Sequence, residues 1–395
     1  MKHLKIIFNA LKGVFLGGLL LTTTSAEAQQ DSLRMGSVEI SLLTCQPHDE
    51  IYSLYGHTAI RYHDLRKGGL DIAFNYGVFD WRKPFFALRF VFGLTDYELG
   101  AYPFRLFQEE YRRFGSMVTE QVLNLTSEEK AVLQQLLAIN MQEENRIYRY
   151  NYFYSNCTTK ARDIIEKSVK GKVTYTYRED YAPTFREMVH TMTKKNPWAA
   201  FGNDLLLGIL ADQKTNRQQQ EFLPHNLMYD FDHAEIYYNG EYRPLVRERR
   251  ISVPAGVQMV KSGFSLSPLT CGIILLGIGL FVFFLEWRQQ RVFIVWDVLL
   301  MVVTGIIGIL LFLMLFSLHP TVNINLQFLL LNPLPWFFIW QVIRGKQTRY
   351  WLITAILAVL FLIGGVFQCY AEGIWSLALC LLLQSYLHLK KIGTK

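Results

Sequence analysis

Residues 155–171 read SNCTTKARDIIEKSVKG, a pattern that predicts a helix starting at Cys157. Ser155 and Asn156 are both favourable N-cap residues, and Gly171 is a typical helix terminator. The residues that follow the cysteine at helical spacing are Ala161, Ile164, Ile165 and Ser168. Cys157 therefore shares the helix face that packs on the fold, and we expect it to point away from bulk solvent.

The predicted position of Cys157 is chemically favourable for a nucleophile. A thiol in the first turn of a helix feels the positive end of the backbone dipole, which lowers its pKa and favours the thiolate. Backbone amides at the same helix start can hold the oxyanion that forms during acyl transfer. A base is also needed, and an imidazole on an adjacent strand is the usual partner.

A β-hairpin is predicted by two alternating runs, residues 56–63 and 70–79, which are joined by a glycine-rich turn. Residues 38–43 predict an earlier strand. His57 is the best-placed base because its neighbour on the same strand face, Ala59, is small and leaves open space. Asn75, on the adjacent strand, is able to orient the imidazole. Strands followed by helices predict an α+β domain.

Two later segments carry helical signals. Thr126-Ser127-Glu128-Glu129 is a capping box, and the helix it opens has an apolar side formed by Val132, Leu133, Leu136 and Leu137. Residues 84–94 are rich in aromatic side chains and too short to span a membrane. For this segment we consider both an interfacial helix and ordinary core packing.

The C-terminal part of the chain predicts an all-α bundle of five transmembrane helices. The chain has 395 residues and is 51% hydrophobic, and almost all its long apolar runs lie after Pro268. Five runs approach the length of a membrane span: about 269–285, 292–318, 326–343, 351–367 and 374–389. Their connecting loops alternate between basic ones and ones without Lys or Arg, which by the positive-inside rule places the C-terminus in the cytoplasm.

The N-terminus predicts export. Three lysines precede an apolar stretch at 14–21, and Ala26-Glu27-Ala28 fits a small-x-small cleavage site. We therefore predict a signal peptide at 1–28, an exported domain at 29–262 and a transmembrane domain at 263–395 in the bacterial inner membrane. The net charge of +7 fits this membrane topology, and no nucleic-acid partner is expected.

The exported domain contains two cysteines, Cys45 and Cys157, because the other three lie in apolar runs. In an oxidising compartment the two could form one disulfide, and a free reactive thiol is the alternative. No cofactor is expected. No metal site is expected either, since the remaining histidines of the domain lack ligand-like spacing: His48, His190, His225 and His233.

The third apolar run is interrupted near its predicted outer end by Asn332-Pro333-Leu334-Pro335, and polar residues precede it. Polar groups are costly in lipid, so these residues must face protein, water or a headgroup. One interpretation is a polar loop followed by an ordinary proline kink. The other is a substrate-binding lip at the outer leaflet that includes His319, Asn323 and Asn332.

Several separated motifs resemble those of one known family. They are Leu42-Leu43-Thr44-Cys45, Tyr55-Gly56-His57-Thr58-Ala59-Ile60-Arg61, Asn75-Tyr76-Gly77-Val78-Phe79-Asp80, Asn156-Cys157-Thr158-Thr159 and Phe222-Leu223-Pro224. With the five-span tail, they make nearly the whole mature chain similar to the Bacteroidota lipoprotein N-acyltransferases. The resemblance implies transfer of a fatty acyl chain from a membrane phospholipid to the free α-amino group of a diacylglyceryl-cysteine lipoprotein.

The order of histidine before cysteine also looks like the circularly permuted papain-like group, which includes lecithin retinol acyltransferase and relatives of the NlpC peptidases. This similarity implies that Cys157 is the nucleophile and His57 the base, acting through an acyl-cysteine intermediate. The third member is Asn75 or His63, and the adjacent strand favours Asn75. Two residues of the matched motifs are further expected to bind substrate, Arg61 and Tyr76.

Two other functions remain open. A membrane-anchored cell-wall cysteine peptidase would use the same cysteine and histidine, but it gives the five spans no purpose. A non-catalytic membrane scaffold would join Cys157 to Cys45 in a disulfide. Thiol labelling separates these possibilities, because a disulfide cannot be alkylated until it is reduced.

Overall fold

The computed structural model describes residues 34–176, 178–258, 264–346 and 348–390. The predicted signal peptide, residues 1–28, lies outside this described part. The chain forms two compact units. The first contains residues 34–86, Thr95–Ala182 and 216–258, and the second contains Ala87–Leu94, Pro183–Thr215 and 264–390.

The first unit is built on an antiparallel sheet of seven strands with the spatial order β10-β5-β1-β2-β3-β4-β6. These strands are β1 (Val38–Cys45), β2 (His57–Asp64), β3 (Asp71–Val78), β4 (Asp96–Pro103), β5 (Val118–Leu123), β6 (Ile147–Arg149) and β10 (Val246–Val253). A small second sheet contains β7 (Lys172–Thr174), β8 (Glu235–Tyr238) and β9 (Glu241–Pro244).

Eight helices precede the apolar C-terminal region in the described part of the chain. In chain order they are α1 (Phe86–Val91), α2 (Phe104–Arg113), α3 (Ser127–Asn140), α4 (Cys157–Ser168), α5 (Phe185–Thr193), α6 (Pro197–Leu206), α7 (Arg217–Gln220) and α8 (Pro224–Asp232). The prediction of an α+β fold for this region is confirmed, since a large sheet is packed with helices.

The local predictions for the first unit are largely confirmed. β2 and β3 form the expected antiparallel hairpin, with Ile60 opposite Phe74. Thr126 caps α3 through a capping box, as predicted. On α3, however, Val132 is 42% exposed and does not belong to the buried side. The helix that starts at Cys157 ends three residues before Gly171, at Ser168.

Helix α4 packs on the main sheet through the face predicted from its sequence. Ala161, Ile164 and Ile165 join a buried cluster that includes Ile60 and Phe74 from the hairpin. Each large apolar side chain that is fully buried contributes roughly 1.5–3 kcal/mol relative to exposure. This packing fixes the start of α4, and therefore Cys157, beside β2 and β3.

A buried ion network crosses the same sheet. Arg61 on β2 donates to both oxygens of Asp71 on β3, at 2.7 and 2.8 Å, and to Glu120 on β5 at 3.1 Å. Arg250 and Ser252 of β10 donate to the same Glu120 carboxylate. Burial alone would raise the pKa of Glu120, but the three donors outweigh burial and lower the pKa to about 2.

The second unit contains the apolar helices of the C-terminal region: α9 (Pro268–Gln289), α10 (Ile294–Met314), α11 (Pro335–Ile343), α12 (Tyr350–Gly364) and α13 (Ile374–Leu389). In the described residues, α9 and α10 have the length and composition of membrane spans, with 22 and 21 residues. Helices α12 and α13 are apolar but shorter, with 15 and 16 residues. The expected apolar helical region is thus present.

The third predicted span is not one continuous helix. It consists of a 3-10 turn at Leu326–Leu329 and the nine-residue helix α11, separated by the Asn-Pro-Leu-Pro segment. Nine residues rise only about 14 Å, less than half of a hydrocarbon core. The prediction of five similar spanning helices is therefore not confirmed at this position.

Amide side chains near this interruption bind another segment of the second unit. Asn325 donates to the Leu205 carbonyl at 2.9 Å, Gln327 to the Asp204 carbonyl at 2.7 Å, and Gln368 to the Leu207 carbonyl at 3.1 Å. The same segment is fixed by Arg186, which is buried and pairs with Asp204 and Asp212 at 2.8 and 2.7 Å. The amide side chains that precede α11 thus form hydrogen bonds within the protein.

We expect Glu120→Gln to lower the melting temperature of the full-length protein by about 5–10 °C at pH 7, because it weakens a buried ion network. The pKa of Glu120 is lowered in the folded state, so its stabilisation is present above the ordinary value near 4.5 and is lost as the pH falls towards 2. The difference in melting temperature should therefore shrink in acid.

Glu128→Gln is the matched control, because the Glu128 side chain is 76% exposed and pairs with Lys170 at the surface. Its effect should stay below about 2 °C. Differential scanning fluorimetry of the detergent-solubilised protein measures both shifts. Equal shifts for the two variants would show that the Glu120 network does not stabilise the sheet.

Candidate active site

An asparagine cap fixes the first turn of α4. The Asn156 Oδ1 atom accepts the backbone N–H groups of Thr158 and Thr159 at 2.9 and 3.0 Å. The Asn156 Nδ2 atom donates to the carbonyl oxygens of Tyr152 and Phe222 at 3.0 and 2.9 Å. With all these bonds satisfied, the cap holds Cys157 at the first helical position.

A bulge in β3 brings three polar side chains together. The pairing of β3 with β4 shifts between Tyr76 and Val78, which makes Gly77 the extra residue. Gly77 has φ of 140°, and a Cβ atom there would lie 3.4 Å from His57 Cε1. The same atom would lie 3.7 Å from both Asn75 Oδ1 and Cys157 Cβ. Cys157, His57 and Asn75 therefore converge on the space that glycine leaves open.

The Cys157 thiol and the His57 imidazole favour each other's charged forms. Burial alone would raise the pKa of Cys157, but His57 and the backbone N–H of Thr58 outweigh burial, and the pKa is lowered. Burial alone would lower the pKa of His57, but Cys157 and then Asn75 outweigh it, and the pKa is raised. The arrangement supports a thiolate–imidazolium pair.

Two other polar atoms of the site make no hydrogen bond within the described part of the chain. His57 Nε2 and Asn75 Oδ1 are buried and have no hydrogen-bond partner among the described residues. Catalytic hydrogen bonds are often long before a substrate binds. A hydroxyl pair lies on the other side of the sulfur, where Thr158 Oγ1 is 3.8 Å from Cys157 Sγ and 3.2 Å from Thr58 Oγ1.

The amides at the start of α4 are only partly available to an oxyanion. The expectation was that several would be unpaired, but those of Thr158 and Thr159 are occupied by the Asn156 cap. In the part of the chain that the structure describes, the Cys157 N–H has no hydrogen-bond partner. An oxyanion hole at this helix would therefore use the amide of the nucleophile itself.

Cys45 is close to the site but differs from Cys157. Both thiols are free, so the disulfide expected for a scaffold is not formed. Cys45 is 1% exposed, and burial raises the pKa of its thiol. Buried thiols with a raised pKa are poor nucleophiles. The pair of cysteines is thus chemically unequal, with Cys157 as the activated member.

Three other predicted residues of the first unit lie elsewhere. His63 is six residues along β2 from His57, about 20 Å away, and its Nε2 atom is 4.0 Å from Asp71. Arg61 is buried in the ion network and stacks over Phe104. The Tyr76 hydroxyl is buried and accepts from Asn140 at 2.7 Å. Arg61 and Tyr76 are both engaged in bonds within the protein, and their expected substrate contacts stay predictions.

The polar residues predicted to form an outer lip have mixed surroundings. His319 is buried, and its Nε2 atom is 3.2 Å from the Phe90 carbonyl oxygen. Asn332 is used locally, donating to the Leu329 carbonyl and accepting from the Leu334 amide, both at 3.0 Å. Asn332 thus stabilises a local turn, and its expected contact with substrate stays a prediction. Asn323 is exposed.

Sequence reasoning missed two contributors to the site, Gly77 and Thr58. A glycine inside an otherwise alternating strand is a recognised sign of a bulge or a close approach, so Gly77 could have been found. The contact of the Thr58 amide with the sulfur depends on how α4 sits against β2, which sequence does not reveal. Within the described residues, no group of three or more His, Cys, Asp or Glu side chains is placed to hold a metal ion.

Two family models match the chain. The Lnb N-terminal periplasmic domain matches residues 25–191, and the Lnb transmembrane domain matches residues 259–395. No curated protein and no solved structure matches the chain. The two domain families indicate a membrane protein with a periplasmic N-terminal part. The chain therefore belongs to the Lnb family, the lipoprotein N-acyltransferase family that its motifs resemble.

Proposed function

We propose that this chain transfers a fatty acyl group from a membrane phospholipid to the α-amino group of a diacylglyceryl-cysteine lipoprotein. The convergence of Cys157, His57 and Asn75 around Gly77 is the observation that carries the proposal. Membership of the family supports the reaction class. A thiol activated by an imidazole is suited to forming a covalent acyl intermediate.

We further propose that the periplasmic domain is a permuted papain-like fold. Three features support it: His57 precedes Cys157 in the chain, the cysteine is the first residue of a helix, and that helix packs on the antiparallel strands that carry the histidine and the asparagine. Asn75 is the proposed orienting residue because it lies beside His57, whereas His63 lies far along the strand.

The first half-reaction forms the acyl-enzyme. His57 takes the thiol proton, and the Cys157 sulfur attacks the ester carbonyl of the phospholipid. The tetrahedral oxyanion is stabilised by the Cys157 N–H and the positive end of the α4 dipole. When the intermediate collapses, the C–O bond breaks and His57 returns its proton to the departing lysophospholipid oxygen. Cys157 is left as a thioester.

The second half-reaction uses the lipoprotein amine. The amine attacks the thioester carbonyl, His57 accepts a proton from the nitrogen, and the C–S bond breaks. An amide forms, and the sulfur leaves as thiolate beside the imidazolium, which is the resting pair. Water must be kept from the thioester, and work at the membrane surface provides a low-water environment.

We also propose that the protein lies in the bacterial inner membrane with a cytoplasmic C-terminus. The support is that basic loops alternate with loops that contain no Lys or Arg. Phospholipids and diacylated lipoproteins are the proposed partners. Of the polar residues proposed for the outer lip, Asn323 is the one with an exposed side chain, and His319 lies next to α1. A role in binding headgroups is proposed for these two residues.

Both Cys157→Ser and Cys157→Ala should abolish formation of triacylated lipoproteins, since neither side chain supplies a thiolate. Mass spectrometry of lipoprotein N-termini, in cells that depend on the variant protein, measures the loss. Cys45→Ser is the matched control and should retain substantial activity, because its thiol is buried and its pKa is raised. Triacylated lipoproteins at the wild-type level in either Cys157 variant would exclude the covalent route.

The pH dependence of Cys157 alkylation should depend on His57. In the wild-type protein, the midpoint of the iodoacetamide rate should lie below the ordinary thiol value of about 8.5, because the imidazolium favours the thiolate. In His57→Ala, burial is opposed only by the smaller effects of the Thr58 amide and the Thr158 hydroxyl, so the midpoint should rise by about one pH unit or more. Asn75→Ala should raise the midpoint by less than His57→Ala does.

His63→Ala is the control for this experiment, because the His63 ring lies near Asp71 at the other end of the strand. Its midpoint should equal that of the wild type. Peptide mass spectrometry separates the labelling of Cys157 from that of other cysteines. If His63→Ala moved the midpoint and His57→Ala did not, the assignment of the base would be reversed.

A further inference from the structure

A row of half-buried aromatic rings lies beside the Cys157 site. We name it the aromatic strip, and its members are Tyr52, Phe79, Phe86, Tyr97 and Tyr150. From Tyr150 through Tyr97 and Phe79 to Phe86, consecutive ring centroids are separated by 4.0, 4.9 and 5.7 Å, with interplanar angles of 15–22°. Tyr52 meets Phe79 edge-on at 6.3 Å. The rings form a continuous apolar surface.

The aromatic strip passes close to the thiol at Phe79, in the middle of the row. Phe79 follows Gly77 by two residues, and a Cβ atom on Gly77 would touch Cys157. Burial raises the pKa of Tyr97, and the nearby Cys157 raises it further. Burial, Tyr97 and then Cys157 raise the pKa of Tyr150 in the same way. An alkyl group bound to the sulfur would therefore meet the strip first.

Core packing does not account for the strip. Its four stacked rings are each partly exposed, and Tyr52 is 64% exposed. Phe85, which precedes Phe86 in the chain, is 77% exposed. Apolar side chains left open in one short stretch mark a surface that contacts lipid or a ligand.

We infer that the aromatic strip binds the hydrocarbon chain of the donor phospholipid and guides its ester carbonyl to Cys157. This inference rests on the proposed function and adds the part of the substrate that the strip recognises. The strip would also hold the fatty chain of the acyl-enzyme while the amine attacks. Its members are specificity-determining residues, since they contact the chain and not the reacting atoms.

Three observations favour a hydrocarbon chain as the occupant. The strip presents ring faces and is continuous with the thiol, which a fatty acyl ester must reach. Phe85, next to the strip member Phe86 in the chain, adds another exposed apolar side chain. The exposed Lys83 lies in the same connection between β3 and β4, where a positive charge suits a lipid phosphate.

The test compares alkylation of Cys157 by N-ethylmaleimide and N-dodecylmaleimide in the full-length protein in detergent. Peptide mass spectrometry gives the rate at each cysteine, and the exposed Cys369 in the same sample corrects for uptake of the long reagent by micelles. After this correction, Cys157 should react about tenfold faster with the long reagent, the gain expected from burying about two methylene groups.

Phe79→Ala and Tyr97→Ala should each lower this ratio by about threefold or more, because each removes one ring of the strip. Phe79→Leu and Tyr97→Phe preserve an apolar surface and should keep most of the ratio. They therefore distinguish loss of the ring surface from misfolding of the alanine variants. Tyr237→Ala is the matched control, because it removes a ring from a similar exposed pair on the small sheet. It should change neither rate.

Equal corrected rates for the two reagents in the wild type would overturn the inference, and so would an unchanged ratio in Phe79→Ala and Tyr97→Ala. Alkylation requires a reactive thiol but no acyl transfer. A protein that prefers the long reagent but produces no triacylated lipoprotein would therefore contradict the proposed function and leave the aromatic strip in place. The proposed function and the inference about the aromatic strip can therefore fail independently of each other.

Discussion

The cap on helix α4 is the constraint on which the site depends. Asn156 satisfies two amides of the first turn and at the same time binds the Tyr152 and Phe222 carbonyls, so the helix start is fixed from both sides. Replacing such a cap by alanine typically costs about 1 kcal/mol in stability. Here the larger effect would be on the position of the Cys157 sulfur, because a shift of the first turn moves this atom away from His57.

The pKa of each thiol near the site depends on the balance between burial, which raises it, and contacts with polar or charged groups, which lower it. Burial raises the pKa of the free thiol at Cys45, where Tyr111 does little to counter it, and the same burial is outweighed at Cys157 by His57 and the Thr58 amide. Two neighbouring thiols, the buried Cys45 and the partly buried Cys157, thus acquire opposite reactivities. The difference comes from which groups face each sulfur, and the bulge at Gly77 supplies the room for them.

The sequence predicted the site where local signals were strong and failed where tertiary contacts decide. The cap, the helix start at Cys157 and the hairpin that places His57 near Asn75 follow from residue patterns over short distances. The role of Arg61 does not follow from such short patterns, because its partner Glu120 is 59 residues away in the chain. The interruption of the third predicted span was visible in its two prolines, but the short length of the helix that follows them was not.

The most direct test of the central claim is to trap the acyl group on Cys157. Full-length protein is incubated with phospholipid but no acceptor, digested in acid, and the peptide that contains Cys157 is examined by mass spectrometry. The account predicts one fatty acyl group on this cysteine, which neutral hydroxylamine removes and a diacylated lipopeptide converts to an amide. Acyl transfer to the lipopeptide without any acyl group on Cys157, at time points that resolve the first turnover, would contradict it.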